Sequence, residues 1–440
     1  MSTAAPEPLS LDDARILHLE SDAIKGHTGK LLVLEPGPDG AGVDPAALRA
    51  RAAERIGALS RLGMRVVDVD GAPSWAEAPD IDLDWHIAAA GGEAPLDEEA
   101  FRGLAGEILA QRLDHERPLW RIDVIPLEGG RTGLVGRIHH AMADGVTAIR
   151  LVAGLLFDEP ESDHAVPPEH RADEASSAAA AAERTSLAAE HHERPLLVRL
   201  PGALRRELRP GADTPLDKHI GSEREVAWTA IALERLKAIG HAADGGATVN
   251  DAVLAVVAGG LRSWLGAAES RPAKLRAQVP VCLHLREGGT AVGNRDSFLN
   301  VDLPLDEPDP LERLRLINAE TRERKSEHDA DTLYSFFHAL GRFRPLYEGV
   351  TRIVSGPREF ALSVSNVPGP RERPLICGHE VREFCSIAEP ADRHALRVAV
   401  ISLGGDLAFG LCSDPHAIGE LNHLADALEE SVAELEEAAA

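Results

Sequence analysis

Two adjacent histidines, His139 and His140, followed by Asp144 and Gly145, form the most reactive grouping in this chain of 440 residues. A neutral imidazole can take a proton from an alcohol near pH 7, because its ordinary pKa lies near ~6.5. An alcohol is a poor nucleophile at that pH. A base that removes its proton during attack typically contributes ~10²–10⁴-fold in rate. His140 is the candidate base. By residue type alone the pair could equally be packed or surface histidines, and Asp144 could be only a helix N-cap.

The flanking elements decide where these groups stand. Gly133–Ile138 reads as a strand and Val146–Phe157 as a helix, so the histidines fall where a strand ends and the chain turns toward a helix. Trp120–Leu127 pairs with Gly133–Ile138 around Gly129 and Gly130. Lys30–Glu35 and Met64–Val69 read as further strands, and Pro45–Leu62 and Leu96–Leu113 have helical spacing. Residues 159–192 change character: Pro, Ser, acidic residues and the run Ala178–Ala182 make a linker. Pro195–Arg209 is basic and apolar, broken by Pro201.

In the second half, Thr248 is a candidate N-cap for a buried helix over Val249–Leu265. Leu275–Leu283, Ser297–Leu303, Phe360–Ser365, Val398–Leu403 and Leu407–Cys412 read as strands. Pro310–Lys325 and Ala417–Glu437 read as helices. No tandem repeat stands out. The pattern predicts an α/β protein of two similar halves, residues 1–158 and 216–440, joined by a linker and crossover over 159–215. Two such halves fit a pseudo-dimeric sandwich with the site between them.

Composition excludes several classes. The chain is too long for one ordinary core. Its net charge of -26, from 46 basic and 72 acidic side chains, argues against general binding to nucleic acid or anionic lipid. The four cysteines, Cys282, Cys377, Cys385 and Cys412, form no CxxC pair, so neither a zinc site nor a disulfide framework is expected. Reduced thiols in a cytoplasmic protein are the simple reading. The first residues lack the basic and apolar regions of a signal peptide. The longest uncharged, mostly apolar run, Ala252–Leu261, falls short of the ~18 residues that suggest a membrane span. A soluble protein, peripheral to membranes at most, is expected.

The HHxxxDG pattern resembles the active-site motif of CoA-dependent acyltransferases of the chloramphenicol acetyltransferase and condensation-domain type. Further segments narrow the resemblance to the bacterial wax ester synthase/diacylglycerol acyltransferase family, over nearly the whole chain. Leu9–Leu17 is similar to the family's opening segment and Pro79–Ile87 to its "FDLxxHV" stretch. Pro118, Leu119 and Trp120 form the motif ahead of the histidine strand. Asn250 and Asp251 match an Asn-Asp motif. Val279–Arg286, followed by Gly293 and Asn294, resembles a "VPVSLR" strand, and Asn366–Pro370 a late "NVPGP" loop. The chain departs from the family at Lys25–Gly29, where a Met-His pair is usual, and at Ser402–Gly405.

The resemblance implies a chloramphenicol acetyltransferase-like sandwich with its active-site channel between the domains. It implies acyl transfer from acyl-CoA to a fatty alcohol or a diacylglycerol, with acyl-CoA as co-substrate, no metal and no bound prosthetic group. His140 would be the base and His139 a support for its loop. Asp144 would organise the loop through a salt bridge, and Gly145 would let the backbone turn tightly. By residue type alone, the large ring of Trp120 could simply fill a gap before a strand. Pro118, Leu119, Trp120, Asn250, Asp251, Asn294 and Asn366 would bind substrate or shape the site, and Asp82 and His86 would be structural. The basic segment Arg199–Arg209 is either a crossover helix or a surface for lipid or CoA phosphate. The resemblance also allows contact with the inner membrane or lipid inclusions. Two rival readings stand beside it: a condensation-type enzyme using a carrier-bound donor, and a non-catalytic protein that binds lipid or coats lipid droplets.

Overall fold

A computed structural model describes residues 5–92, 94–159, 200–202, 204, 213–243, 246–266, 271–282, 296–326 and 359–440. In chain order its strands are β1 (Glu7–Pro8), β2 (His27–Leu34), β3 (Met64–Val69), β4 (Ala72–Glu77), β5 (Ile87–Ala89), β6 (Trp120–Pro126), β7 (Thr132–His139) and β8 (Glu225–Ala232). There follow β9 (Lys274–Cys282), β10 (Asp296–Pro304), β11 (Leu362–Val367), β12 (Leu375–Ile376), β13 (His379–Ile387), β14 (Leu396–Leu403) and β15 (Asp406–Ser413).

Two six-stranded sheets carry the architecture. One has the order β12-β13-β2-β7-β6-β5, the other β10-β9-β11-β14-β15-β8, and β1, β4 and β3 make a small third sheet. The expected hairpin of β6 and β7 forms, with Trp120 opposite Ile138. β2 runs antiparallel along the other side of β7, placing His27 opposite His139. The histidine strand is therefore central in its sheet and held on both edges.

Most of the expected strands and helices form, with shifted ends. The helix from Pro45 stops at Arg55 and gives way to two short tight turns, with Leu59 in a non-helical backbone (φ -108°, ψ 64°) between them. The last helix begins at Leu421 rather than Ala417, since Glu420 sits in the left-handed region at φ 65°. Thr248 caps Val249–Trp264, and Asp251 completes a reciprocal capping box.

The second half of the chain also supplies part of the first sheet. β13 pairs antiparallel with β2 over Val381–Ile387. The chain then returns to β14 and β15 in the other sheet. The two sheets share an apolar layer in which Leu31, Phe101 and Cys385 meet Val226, Trp228 and Cys412. Gly410 makes that approach possible: a methyl group there would overlap the Ser386 carbonyl. The residues of the linker from 160 and the basic side chains of Arg199, Arg205, Arg206 and Arg209 lie outside the described residues. Among the described residues no helix is long and apolar enough to cross a membrane.

Candidate active site

Strand β7 delivers His139 and His140 to a turn that backbone bonds hold from two neighbours. The His139 N–H donates to the Leu119 carbonyl at 2.9 Å, and the His140 N–H donates to the Gly26 carbonyl at 2.8 Å. Gly26 has φ 76°, and a side chain there would overlap Nε2 of His139, so only glycine fits. The turn closes with the Met142 N–H donating to the His139 carbonyl at 2.9 Å. Asp144 then caps the helix Gly145–Leu156, its Oδ1 accepting the Thr147 N–H at 2.7 Å.

The two histidines have different surroundings. His139 is fully buried. Its Nδ1 accepts the Ala141 N–H at 3.1 Å, so Nε2 carries the proton and donates to Glu20 Oε1 at 2.7 Å. Glu20 also accepts from Nε2 of His115, at 3.0 Å. Burial pushes the Glu20 carboxyl up, but the bonds from His115 and His139 outweigh it and hold its pKa at about 2. His139 is thus fixed in one tautomer as a brace for the turn.

His140 is half-buried, and its Nδ1 is shut away with no hydrogen-bond partner on any other described residue. Burial lowers its pKa below the ordinary imidazole value, and neighbouring His139 lowers it further; Asp144 acts in the opposite direction and Lys30 adds to the lowering. The ring is therefore neutral at pH 7, the state a general base requires. Lys30 itself is buried in β2, where Nζ donates to Ser386 Oγ at 2.6 Å and Thr28 Oγ1 at 3.3 Å. Burial brings its pKa down to about 8.

Not every expected residue gathers here. Gly145 opens a helix with no left-handed backbone, so it is not there for a tight turn. A Cβ at this position would stand 3.4 Å from Val367 Cγ2 of β11, which places the turn where the two halves meet. Asn366 is the half-buried neighbour of Val367 on β11. The expected salt bridge of Asp144 is not formed with any described residue, and the cap takes its place.

Leu119 acts through its carbonyl, and Trp120 lies in the core, stacked on His86 at 4.1 Å with Nε1 donating to the Leu62 carbonyl at 2.8 Å. Pro118 lines a separate cavity of about 300 Å³ with Arg65, Asp82, His86 and Arg117. Asp251 is fully buried with both oxygens occupied: Oδ2 accepts from Thr248, and Oδ1 accepts the Thr321 hydroxyl at 2.6 Å. It builds a helix start and is closed to substrate. Asn250 is half-buried on the same first turn, and Asn294 lies outside the described residues. Glu20, Gly26 and Lys30 belong to the site's frame without any motif that announces them. Glu20 and His139 stand 119 positions apart.

Comparison with known proteins matches residues 9–253 to the wax ester synthase/diacylglycerol acyltransferase catalytic domain and residues 292–436 to the WS/DGAT C-terminal domain. A Mycobacterium tuberculosis protein named "Probable diacyglycerol O-acyltransferase" is 30% identical over 92% of this chain and 90% of its own length. Among solved structures, the wax ester synthase/diacylglycerol acyltransferase of Marinobacter aquaeolei VT8 is similar with a TM-score of 0.70 and 23% identity, over 98% of this chain and 99% of that one. The first condensation domain of the calcium-dependent antibiotic synthetase is similar with a TM-score of 0.58 and 18% identity, over 100% and 97%. These structural likenesses show the two-sheet α/β fold that the motifs implied. Matched in both of its parts by the family's models, the chain belongs to the wax ester synthase/diacylglycerol acyltransferase family.

Proposed function

We propose that this protein is an O-acyltransferase that moves a long-chain acyl group from acyl-CoA to a hydroxyl acceptor, a fatty alcohol or a diacylglycerol. The observation that carries the reading is the state of His140: a neutral imidazole with Nδ1 enclosed, on a turn braced by Gly26, Leu119 and His139. In this reading His140 takes the acceptor's proton as its oxygen attacks the thioester carbonyl. The tetrahedral intermediate collapses with cleavage of the carbon–sulfur bond, and the proton passes to the departing thiolate. A thioester is already activated, so the transfer needs neither a covalent enzyme intermediate nor a prosthetic group. Since acceptor and product are lipids, the reading also brings the chain to a lipid surface during its cycle.

The test is thiol release from palmitoyl-CoA with hexadecanol, diolein or no acceptor, for wild type and His140→Ala. Acceptor-dependent release that drops roughly 10²–10⁴-fold in a folded variant is the expected result. Equal release by both proteins would overturn the role of His140. No release with either acceptor would overturn the lipid reading and favour a carrier-bound donor or a binding role.

A further inference from the structure

The turn that carries His140 hangs from the loop Ala23–Gly26, and that loop is gripped from the other half of the molecule. The His140 N–H donates to the Gly26 carbonyl, and the Gly26 backbone lies so close to Nε2 of His139 that a side chain there would overlap it. A shift of this loop is therefore passed to both histidines. Within it, the Ser21 N–H donates to the Ile24 carbonyl at 2.9 Å and the Ile24 N–H to Ser21 Oγ at 3.0 Å. Those local bonds hold the loop's shape, not its place.

Its place is set by Glu389 and Arg224. Glu389 stands on the crossing from β13 to β14, and Arg224 directly precedes β8. The Glu389 carboxylate accepts the Lys25 N–H on Oε1 and the Gly26 N–H on Oε2, at 2.7 Å each. Two successive N–H groups form a cradle for one anion, and bonds to a charged acceptor are about twice as strong as neutral ones. Arg224 Nη2 donates to Glu389 Oε1 at 2.9 Å and also to the Ala23 carbonyl. Its Nη1 is spent on the Gly221 and Glu223 carbonyls, at 3.0 and 2.6 Å. The Arg224 side chain is 1% exposed and that of Glu389 12%, so water competes little for these bonds. Ala23 and Ile24 pack against the apolar core of the second half. One ion pair thus holds Ala23, Lys25 and Gly26 by their backbone, and none of these bonds uses a side chain of the loop.

We propose that Glu389 and Arg224 are positioning residues for the reaction: through the loop they set where the His140 imidazole stands. The second half of the chain thereby controls the alignment of a base carried by the first. The inference rests on the reading of His140 as that base. Both residues act on the loop's backbone, one step removed from the ring. A misplacement of about 1 Å in a catalytic group costs roughly 10²-fold in rate, so loosening the loop acts on the chemical step rather than on substrate binding.

The test is Glu389→Gln in the full chain, read by amide hydrogen exchange and by kinetics. The amide keeps the shape of the side chain but offers one acceptor oxygen where two N–H groups need two. Peptides covering Ala23–His27 and His139–Ala143 should exchange roughly 10-fold faster or more, while those of the helix Val249–Trp264 keep the wild-type rate. In thiol release from palmitoyl-CoA with hexadecanol, kcat should fall roughly 10–100-fold and KM for both substrates should stay within about 2-fold. A merely structural role would speed exchange in that helix as well. Arg224→Lys keeps a cation for the carboxylate but has no planar fork to share with the Ala23 carbonyl. It should give the same pattern at smaller size, and it carries the test if Glu389→Gln fails to fold. Unchanged exchange at His139–Ala143, faster exchange throughout the chain, or an unchanged kcat would each overturn the proposal. A wild type that acylates neither hexadecanol nor diolein, with the local change in exchange present, would uphold the hold on the His140 turn and overturn the acceptor reading alone.

Discussion

At the residue scale, the two histidines of one motif do opposite work because of what each nitrogen meets. Nδ1 of His139 is an acceptor for Ala141 and Nε2 a donor to Glu20, so that ring has no free basic nitrogen. His140 keeps one, and its lowered pKa fixes the pH response. A base must be neutral to act, so activity falls as pH drops through the His140 value. Since burial and His139 hold that value below the ordinary 6.5, the acid limb of kcat/KM should lie below pH 6.5, with a plateau through neutrality. A limb centred above 6.5 in a pH–rate profile would contradict the desolvated base. Lys30 deepens the same effect from inside the sheet.

At the element scale, the second half depends on how the helix Val249–Trp264 begins. Thr248 and Asp251 exchange hydrogen bonds, and Asp251 also ties this helix to Pro310–Ser326 through Thr321. Removing the cap with Thr248→Ala should cost ~0.5–2 kcal/mol in denaturant unfolding. An unchanged midpoint would mean the box contributes nothing. Asp251 of the Asn-Asp motif thus builds the start of this helix. The helix Gly145–Leu156 has a simpler cap, Asp144 accepting the Thr147 N–H, and that cap also fixes the far side of the His140 turn.

At the scale of the whole molecule, β13 makes the halves interdependent. It covers the β2 edge, supplies Ser386 to the buried Lys30 and packs on Gly410 of the opposite sheet. Residues 1–158 expressed alone lack that strand, leaving β2 as an open edge and a buried lysine without its 2.6 Å partner. Such a fragment should show no cooperative melt by circular dichroism. A sharp two-state transition in the fragment would refute the dependence. The Arg224–Glu389 pair adds a second link, since Glu389 holds the Lys25–Gly26 backbone on which His140 hangs.

The sequence by itself determined the local features and the family. Strands β6 and β7, the cap at Thr248 and the placing of His140 between a strand and a helix follow from short-range patterns: alternation, turn residues and capping types. The ordered motifs then pointed to the family that the comparisons show. Tertiary structure decided what no short-range signal encodes. Glu20 meets His139 across 119 positions, and β13 crosses into the first sheet from far along the chain. Asp251 is enclosed rather than open to substrate. Hydrogen-bond partners, burial and cross-strand register depend on which distant segments are brought together. A pattern read along the chain carries residue types and spacing, and those properties are set only when the two sheets close on one another.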